Sequence, residues 1–440
     1  MKNLTELGIR VPDILLPARM DTGTWAVIAC DQYTQDNAYW ENARSTAADK
    51  PSTLNLILPE IYLGKNDTDQ RIQHIKQTMR SYLDSGVFAP AVNAFIYIER
   101  TTAYGRTRHG LLAAIDLETY EWKPFSTALI RATEATIVER IPPRKAIRTG
   151  APLELPHIML LADDPDHALV EQTGELVKRS GAQPVYEGPL MLNGGSIKGW
   201  KVQSPQAVQH IQEALNAIAD RHTAPDGSVF LFATGDGNHS LATAKAVWDE
   251  YKAAAHVSDG PARYALVEIV NIYDTGLTFE PIHRVVFNAD PDALVSRIQK
   301  ACAGRQVRME SAQALADAVH KSAASFGFSY TAGGIPQYIK LDTDIKELAV
   351  SRLQPELDAF IAEHNARAAG QPISVDYIHG DMETLRLGER EHTTAILLPP
   401  IAKDSFFSTI SSTGPLPRKS FSMGHADEKR FYLECRRLFS

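Results

Sequence analysis

The sequence is poor in cysteine, in basic clusters and in long apolar runs, and each shortage argues against a class of protein. Its three cysteines, Cys30, Cys302 and Cys435, are far apart in the chain. Their odd number and wide spacing fit neither a disulfide framework nor a cysteine-based metal site. This cysteine usage predicts a protein of a reducing compartment.

No apolar run approaches the roughly 20 residues that a membrane-spanning helix needs. The first residues, Met-Lys-Asn-Leu-Thr-Glu-Leu-Gly, lack the apolar centre of a signal peptide. The formal net charge is −8 and the sequence contains no block of basic residues, so charge-driven binding to nucleic acid is not expected. We therefore expect a cytoplasmic protein that binds neither membrane nor nucleic acid. The oligomeric state stays open.

The composition is that of a globular protein with a full core. Of 440 residues, 44% are hydrophobic and 22% are charged, and this length predicts two or three domains. Short apolar runs alternate with amphipathic segments, which predicts a mixed α/β fold. We expect a main domain over residues 1–289, a small α/β insertion over 290–345, and a C-terminal segment over 346–440 that packs back on the main domain.

Residues 228–248 predict a strand, a tight turn and a helix in succession. The apolar run 229–233 has the length and aromatic content of a buried strand. Gly235 and Gly237 flank Asp236 and permit a tight or left-handed backbone. The Ala-rich stretch that follows favours helix.

The residues between this strand and this helix allow two interpretations. Asp236, Asn238, His239 and Ser240 stand where backbone N–H groups and the positive end of a helix dipole would meet an anion such as phosphate. Gly-Asp-Gly-Asn is also an ordinary turn, in which Asn and Ser serve as helix caps. His239 favours the first interpretation, because a titratable ring at a helix start is a candidate for proton transfer.

Residues 130–150 are rich in arginine and carry a second candidate set. Arg140 and Arg144 could bind phosphate or carboxylate in a bidentate manner, and Glu134 lies nearby in the sequence. The alternative is a surface helix with alternating charge, although Pro142-Pro143 argues against one continuous helix.

Polar residues also follow or interrupt apolar strands elsewhere. Asp31 follows the apolar run 25–30, where it is either a ligand contact or the cap of the next segment. His283-Arg284 lies inside an apolar strand, as part of a site or at a sheet edge. Residues 418–420 are either a phosphate contact on a rigid loop or a flexible basic segment; they read Arg418, Lys419 and Ser420.

Taken together, eight stretches resemble the bacterial and archaeal family catalogued as domain of unknown function 1015. They run in the order of that family through nearly the whole chain, at residues 29–34, 56–63, 131–136, 139–144, 155–159, 235–240, 281–286 and 417–424. The motif that is typical of the family is Asp-Gly-His-His-Arg, which is similar to the phosphate-binding signature of the ParB, sulfiredoxin and free serine kinase superfamily.

The resemblance implies a ParB-like core of sheet and helices whose motif loop holds nucleotide phosphates. This chain departs from the motif, because Asn238 and Ser240 replace the first His and the Arg. The missing cation would have to come from Arg144, Arg284 or residues 418–419. Members of the family are often encoded beside enzymes of serine biosynthesis, and this implies phosphoserine as the substrate.

The leading hypothesis is a phosphoryl-transfer enzyme, a phosphatase or a kinase-like phosphotransferase, that acts on a small phosphorylated metabolite. Phosphoryl transfer needs mostly positioning and charge stabilisation. The predicted catalytic residues are Asp236, His239 and Glu134. The predicted binding residues are Asp31, Arg140, Arg144, Gly235, Gly237, Asn238, Ser240, His283, Arg284, Arg418, Lys419 and Ser420.

Two alternatives belong to other classes of protein. One is a non-catalytic regulatory protein that binds a small anion or a nucleotide on a ParB-like scaffold. The other is a DNA-associated protein, which the net charge and the lack of a helix-turn-helix pattern disfavour. Whether Mg²⁺ or a nucleotide takes part stays open in all of them.

Overall fold

A computed structural model describes residues 1–134, 141–367 and 371–439. Its backbone contacts divide the chain into two compact units. The first unit comprises Met1–Leu277 with Gly424–Ser440, and the second comprises Thr278–Met423. The predicted fold class, a mixed α/β protein with a smaller α/β unit, is confirmed.

The first unit is built on a large mixed sheet with helices. Its strands before residue 278 are β1 Ile9–Arg10, β2 Asp13–Ile14, β3 Val27–Ile28, β4 Val92–Asn93, β5 Phe95–Thr101, β6 Thr107–Asp116, β7 Tyr120–Glu121, β8 Ile130–Ala132, β9 Leu153–Glu154, β10 Met159–Ala162, β11 Tyr186–Pro189, β12 Ser196–Val202, β13 Phe232–Asp236 and β14 Tyr264–Asn271. Its helices are α1 Thr22–Trp25, α2 Asn37–Ala47, α3 Thr68–Asp84, α4 Ile141–Arg148, α5 Thr173–Arg179, α6 Pro205–Arg221 and α7 Asn238–Ala255.

The strand order of the main sheet is β11-β12-β5-β6-β14-β10-β13-β8-β7, and β1 pairs with β6. Strand β10 is parallel to β14 and antiparallel to β13, and β13 is parallel to β8. All residues of β14 are buried, as expected for an apolar strand that is central in a sheet. The order places the end of β13, and therefore the start of α7, beside the segments that precede β10 and follow β8.

The second unit has its own sheet. Its strands are β15 Phe279–Phe287, β16 Arg305–Arg308, β17 Ser325–Ala332, β18 Ile335–Asp342, β19 Ser374–His379, β20 Thr393–Leu397 and β21 Phe421–Met423. Its helices are α8 Pro291–Cys302, α9 Ala312–His320, α10 Ala349–Arg367, α11 Asp381–Gly388 and α12 Lys403–Thr413. The predicted hairpin with its turn at residues 333–334 is formed by β17 and β18.

The boundaries of this unit differ from the predicted divisions at residues 289 and 345. The reason is long-range strand pairing. Strand β15 pairs with β19, β20 and β21, and β17 pairs with β20. One sheet therefore contains strands from three predicted parts of the chain. They come from the end of the predicted main domain, from the predicted insertion and from the predicted C-terminal segment.

The last residues return to the first unit as two short strands. Strand β22, Phe431–Tyr432, pairs with β3, and β23, Arg436–Arg437, pairs with β9. Trp25 Nε1 donates a hydrogen bond of 2.8 Å to the Leu433 carbonyl. The terminal segment is thus part of the core of the unit. Within the described ranges, no helix combines the length and the apolar content that a membrane crossing requires.

Candidate functional site

The predicted strand, turn and helix are present, and Gly237 makes the turn. Strand β13 ends at Asp236 and α7 begins at Asn238. Gly237 lies between them at φ 80° and ψ 28°, in the left-handed region. A Cβ atom on this residue would lie 3.0 Å from Ile158 Cγ1, so both the backbone angle and the close approach favour glycine. The turn aims the N-terminus of an 18-residue helix at the segment before β10.

Asp236 forms an ion pair with a cation from the C-terminal segment. Its Oδ1 accepts a hydrogen bond of 2.9 Å from the Gly237 N–H, and its Oδ2 lies 3.4 Å from Lys429 Nζ. The Lys429 side chain is 10% exposed and that of Asp236 is 19% exposed. The start of α7 therefore combines a helix dipole with a partly desolvated ammonium group, and both attract anions.

A chain of hydrogen bonds runs from Ser240 into the core. Ser240 Oγ lies 2.9 Å from His157 Nε2, and His157 Nδ1 lies 2.8 Å from the Tyr432 hydroxyl. That hydroxyl lies 3.1 Å from Cys30 Sγ. Burial and the charge of Asp31 raise the pKa of the Cys30 thiol to about 12, so Cys30 stays a neutral thiol at physiological pH.

Asp31 lies among the same residues. Burial would raise the pKa of its carboxyl group, but the charge of His157, a hydrogen bond from Gln32 and the charge of Lys429 lower it below its usual value of 3.8. Gln32 Nε2 donates to Asp31 Oδ1 at 3.0 Å. Asp31 is therefore a carboxylate at neutral pH.

Asn238 ties the helix start to the segment after β8. Its Oδ1 accepts from the Thr133 N–H at 3.2 Å, and its Nδ2 donates to Thr133 Oγ1 at 3.2 Å and to the Thr234 carbonyl at 3.4 Å. These contacts use both amide atoms to hold the backbone. The predicted residue Glu134 directly follows Thr133 in the sequence.

His239 occupies the first turn of α7 and is partly buried. Its carbonyl accepts a hydrogen bond of 2.7 Å from Thr243 Oγ1. Gly235 lies within β13, one residue before Asp236. Gly235 and His239 therefore lie within three positions of Asp236 in the sequence, on the elements that form the turn.

Arg144 lies on α4 and forms an ion pair with Glu60. It lines a cavity of about 140 Å³ whose wall also includes His157 and Ser240. This ion pair joins α4 to the segment before α3, and the phosphate contact of Arg144 stays a prediction. Arg140 lies outside the described residues.

The remaining predicted residues belong to the second unit. His283 is buried; its Nδ1 accepts from the Leu398 N–H at 3.1 Å and its Nε2 donates to Asp381 Oδ1 at 2.7 Å. Arg284 is fully buried and donates to Gln354 Oε1 at 2.8 Å and to the Lys419 carbonyl at 2.9 Å. In these contacts Arg284 acts as a brace for the 417–420 loop.

The loop itself divides its residues between surface and core. Arg418 and Lys419 are exposed, and Lys419 has a positive φ of 59°. Ser420 is buried and its hydroxyl donates to the Pro417 carbonyl. The loop is therefore held by internal contacts, as its two prolines predict.

The structure adds two residues to the predicted site, His157 and Lys429. Lys429 is a cation beside Asp236, whereas the sequence analysis looked for such a cation at Arg144, Arg284 or residues 418–419. Its only local signal is a charged pair, Lys429-Arg430, directly before an apolar segment. His157 stands in the Leu-Pro-His-Ile-Met stretch before β10, but its partner Ser240 is 83 residues away. Across the described parts of the chain, no three His, Cys, Asp or Glu side chains gather as metal ligands.

The comparison with known families identifies the class of protein. The sequence model described as "Protein of unknown function (DUF1015)" matches residues 14–360. The chain belongs to this family. A search of curated proteins finds no match.

Several solved structures are similar to this chain at low identity. A conserved hypothetical protein from Pyrococcus furiosus is 9% identical, with 73% of this chain and 90% of that chain covered and a TM-score of 0.34. A free serine kinase in complex with AMP is 9% identical, with 74% and 92% covered and a TM-score of 0.36. SbnI with a C-terminal truncation, from Staphylococcus aureus, is 8% identical, with 71% of this chain and 82% of that chain covered and a TM-score of 0.36. At these values the likenesses carry no statement about activity.

Proposed function

We propose that the protein is a phosphoryl-transfer enzyme that acts on a small phosphorylated metabolite at the start of α7. The observation that carries the proposal is the Asp236–Lys429 pair, 3.4 Å apart and partly desolvated, at the N-terminus of an 18-residue helix. A helix N-terminus and an ammonium group together favour a phosphate. We call this arrangement, formed by Asp31, His157, Asp236, Ser240 and Lys429, the α7 site.

The charges of the α7 site suit a reaction in which negative charge develops. Lys429 is the cation that would bind the phosphoryl oxygens, together with the backbone N–H groups of the first turn of α7. Asp31, held ionised by the charges of His157 and Lys429, places a further fixed negative charge in the site. Such fixed charges stabilise a transition state without reorganisation of solvent.

The proposed proton transfers use Asp236 and His239. In hydrolysis, a water oxygen forms the new bond to phosphorus while the ester oxygen leaves with its electron pair. Asp236 would accept the proton of the attacking water, and His239 would donate a proton to the leaving oxygen. Glu134 is proposed as a second acid beside them. Transfer to a nucleotide would replace the water with a phosphate oxygen of that nucleotide, and Mg²⁺ would be its usual companion.

Phosphoserine is the first compound to test, because the family resemblance suggests it. The protein is incubated with O-phosphoserine, with and without Mg²⁺ and ADP, and the products are followed by ³¹P NMR. Inorganic phosphate would identify a phosphatase, and ATP would identify a kinase-like enzyme. The unpaired thiols of all three cysteines fit the proposed cytoplasmic location of such an enzyme.

The variants Asp236→Asn and His239→Gln are expected to lower turnover by about 100-fold or more, the usual worth of a general acid or base. His256→Gln, at the exposed C-terminal end of α7, is the matched control and is expected to keep full turnover. Full turnover in both site variants would refute the assigned roles. A nucleotide-dependent rise in melting temperature without any turnover would instead identify a binding protein of the regulatory class.

A further inference from the structure

A cavity of about 140 Å³ lies inside the first unit, next to the α7 site. Its wall includes buried apolar side chains from the segment before α3, from α3 itself and from β9 and β14. Examples are Leu56, Leu58, Met79, Leu153 and Leu266, each at most 3% exposed. The cavity is partly open to solvent, so a ligand can enter it from outside.

The charged groups around the cavity form ion pairs with one cation in excess. Glu60 pairs with Arg144, and Arg148 lies 2.7 Å from Glu154, which also binds Arg436. An ammonium group placed inside would lose its hydration and meet this excess of cations, which is costly, whereas an apolar group would gain from burial.

The volume sets the size of the occupant. A dry apolar cavity of about 150 Å³ binds benzene. A cavity of 140 Å³ therefore has room for an apolar group of about six carbons.

The polar side of the cavity shares two residues with the α7 site. Ser240 and His157 line the cavity and are joined by a hydrogen bond of 2.9 Å, and Ser240 lies on the first turn of α7. A ligand with its phosphate at the helix start could therefore extend past Ser240 into the cavity.

We propose that this cavity binds the apolar part of the substrate, and that the substrate class is a phosphate ester of a small apolar alcohol or phenol with about six carbons. The inference rests on the proposed function, because it assigns the phosphate to the α7 site. It favours such an ester over phosphoserine, whose ammonium group would enter a cavity that has an excess of cations around it.

The test compares the affinities of phenyl phosphate, O-phosphoserine and inorganic phosphate by isothermal titration calorimetry. Wild-type protein is expected to bind phenyl phosphate at least about tenfold more tightly than inorganic phosphate, because six carbons leave water. Ala151→Leu fills the cavity with a larger side chain from its wall, and it should reduce this ratio towards one. Ala254→Leu, an exposed position on α7, is the control and should keep the wild-type ratio.

The outcomes separate this inference from the proposed function. If phenyl phosphate and inorganic phosphate bind equally to the wild type and neither binds to Lys429→Met, the α7 site stands and the apolar substrate class is overturned. If neither phosphate binds, the proposed function fails at this site. Benzene binding, measured by ligand-observed ¹H NMR, then decides about the cavity: binding that Ala151→Leu abolishes supports an apolar pocket, and no binding by wild-type protein overturns it.

Discussion

Replacement of Arg430 by methionine is the sharpest test of how the α7 site is held. Arg430 follows Lys429 and is 3% exposed. Its Nε donates to Glu268 at 2.7 Å, its Nη2 to Glu434 at 2.8 Å, and its Nη1 to the Pro156 carbonyl at 2.6 Å. Burial would lower the pKa of Arg430, but the charges of Glu434 and Glu268 raise it, so the guanidinium is always charged.

The expected loss of stability is large because two buried carboxylates lose a cation at once. Glu268 is 2% exposed and Glu434 is fully buried. Removing one partner of a buried ion pair costs about 3–5 kcal/mol. Arg430→Met is therefore expected to lower the free energy of unfolding of the first unit by about 3–5 kcal/mol. Methionine replaces the packing of the side chain, but it removes the cation that pairs with Glu434 and leaves Glu268 with its longer contact to Arg108, at 3.5 Å.

Tryptophan fluorescence during urea unfolding isolates the relevant transition. All five tryptophans lie in the first unit, at positions 25, 40, 122, 200 and 248. Arg437→Met is the matched control, because Arg437 lies on the same short segment but is exposed. It should change the free energy of unfolding by less than about 0.5 kcal/mol, as expected for a surface substitution.

The measurement compares the free energies of unfolding of Arg430→Met, Arg437→Met and the wild type under the same conditions. A deficit of Arg430→Met below about 1 kcal/mol would refute the assignment of Arg430 as a counter-ion of Glu268 and Glu434.

Three further predictions concern the turn at Gly237, the hydrogen bonds of Asn238 and the His109–Asp274 pair, all in the first unit. Gly237→Ala should cost about 1–3 kcal/mol more than Gly227→Ala, because both residues have φ near 80° but only Gly237 meets a neighbour; urea unfolding of both variants measures the difference. Asn238→Ala should lower the free energy of unfolding by about 1–3 kcal/mol because its hydrogen bonds to the backbone are lost. An unchanged value would contradict a stabilising role for these hydrogen bonds. The Asp274 hydrogen bond raises the pKa of His109 above 6.5, so its stabilising contribution is full below pH 6.5 and is lost as the pH rises through the folded-state value. In Asp274→Asn, NMR titration should show a lower His109 midpoint than in wild type, and an equal midpoint would exclude this cause.

Local sequence patterns predict the elements of the α7 site, because the signals for them are short-range. The apolar run before Gly235, the glycines and the alanine-rich stretch after Asn238 predict β13, the turn and α7 within a few residues. Asp31 was also predicted, since a polar residue after an apolar run marks the end of a strand. These features need no knowledge of distant residues.

The partners that complete the site come from elsewhere in the chain. Lys429 reaches Asp236 only because β22 pairs with β3 and brings the last residues into the core. No local pattern around Lys429 encodes that pairing. His157 likewise depends on the order in which β10 and β13 lie in the sheet.

Arg284 shows that one sequence pattern can have two structural interpretations. A histidine-arginine pair inside an apolar strand is a reasonable signal for a site, but the same pattern also arises when a buried arginine braces a loop. The contacts of Arg284 with Gln354 and with the Lys419 carbonyl are of this second kind, and only the paired strands of the second unit reveal them. The boundary between the units was misplaced for the same reason, since β15 is joined to its sheet by pairing with distant strands.

The most direct test of the α7 site is the affinity for inorganic phosphate of wild-type protein and of Lys429→Met, measured by isothermal titration calorimetry. A hydrogen bond to a charged group is worth about 1.5–3 kcal/mol, so removing this ammonium group should weaken binding by about 10- to 100-fold. Lys252→Met, near the other end of α7, is the control and should bind as the wild type does. Equal phosphate affinity in wild-type protein and Lys429→Met would contradict the account.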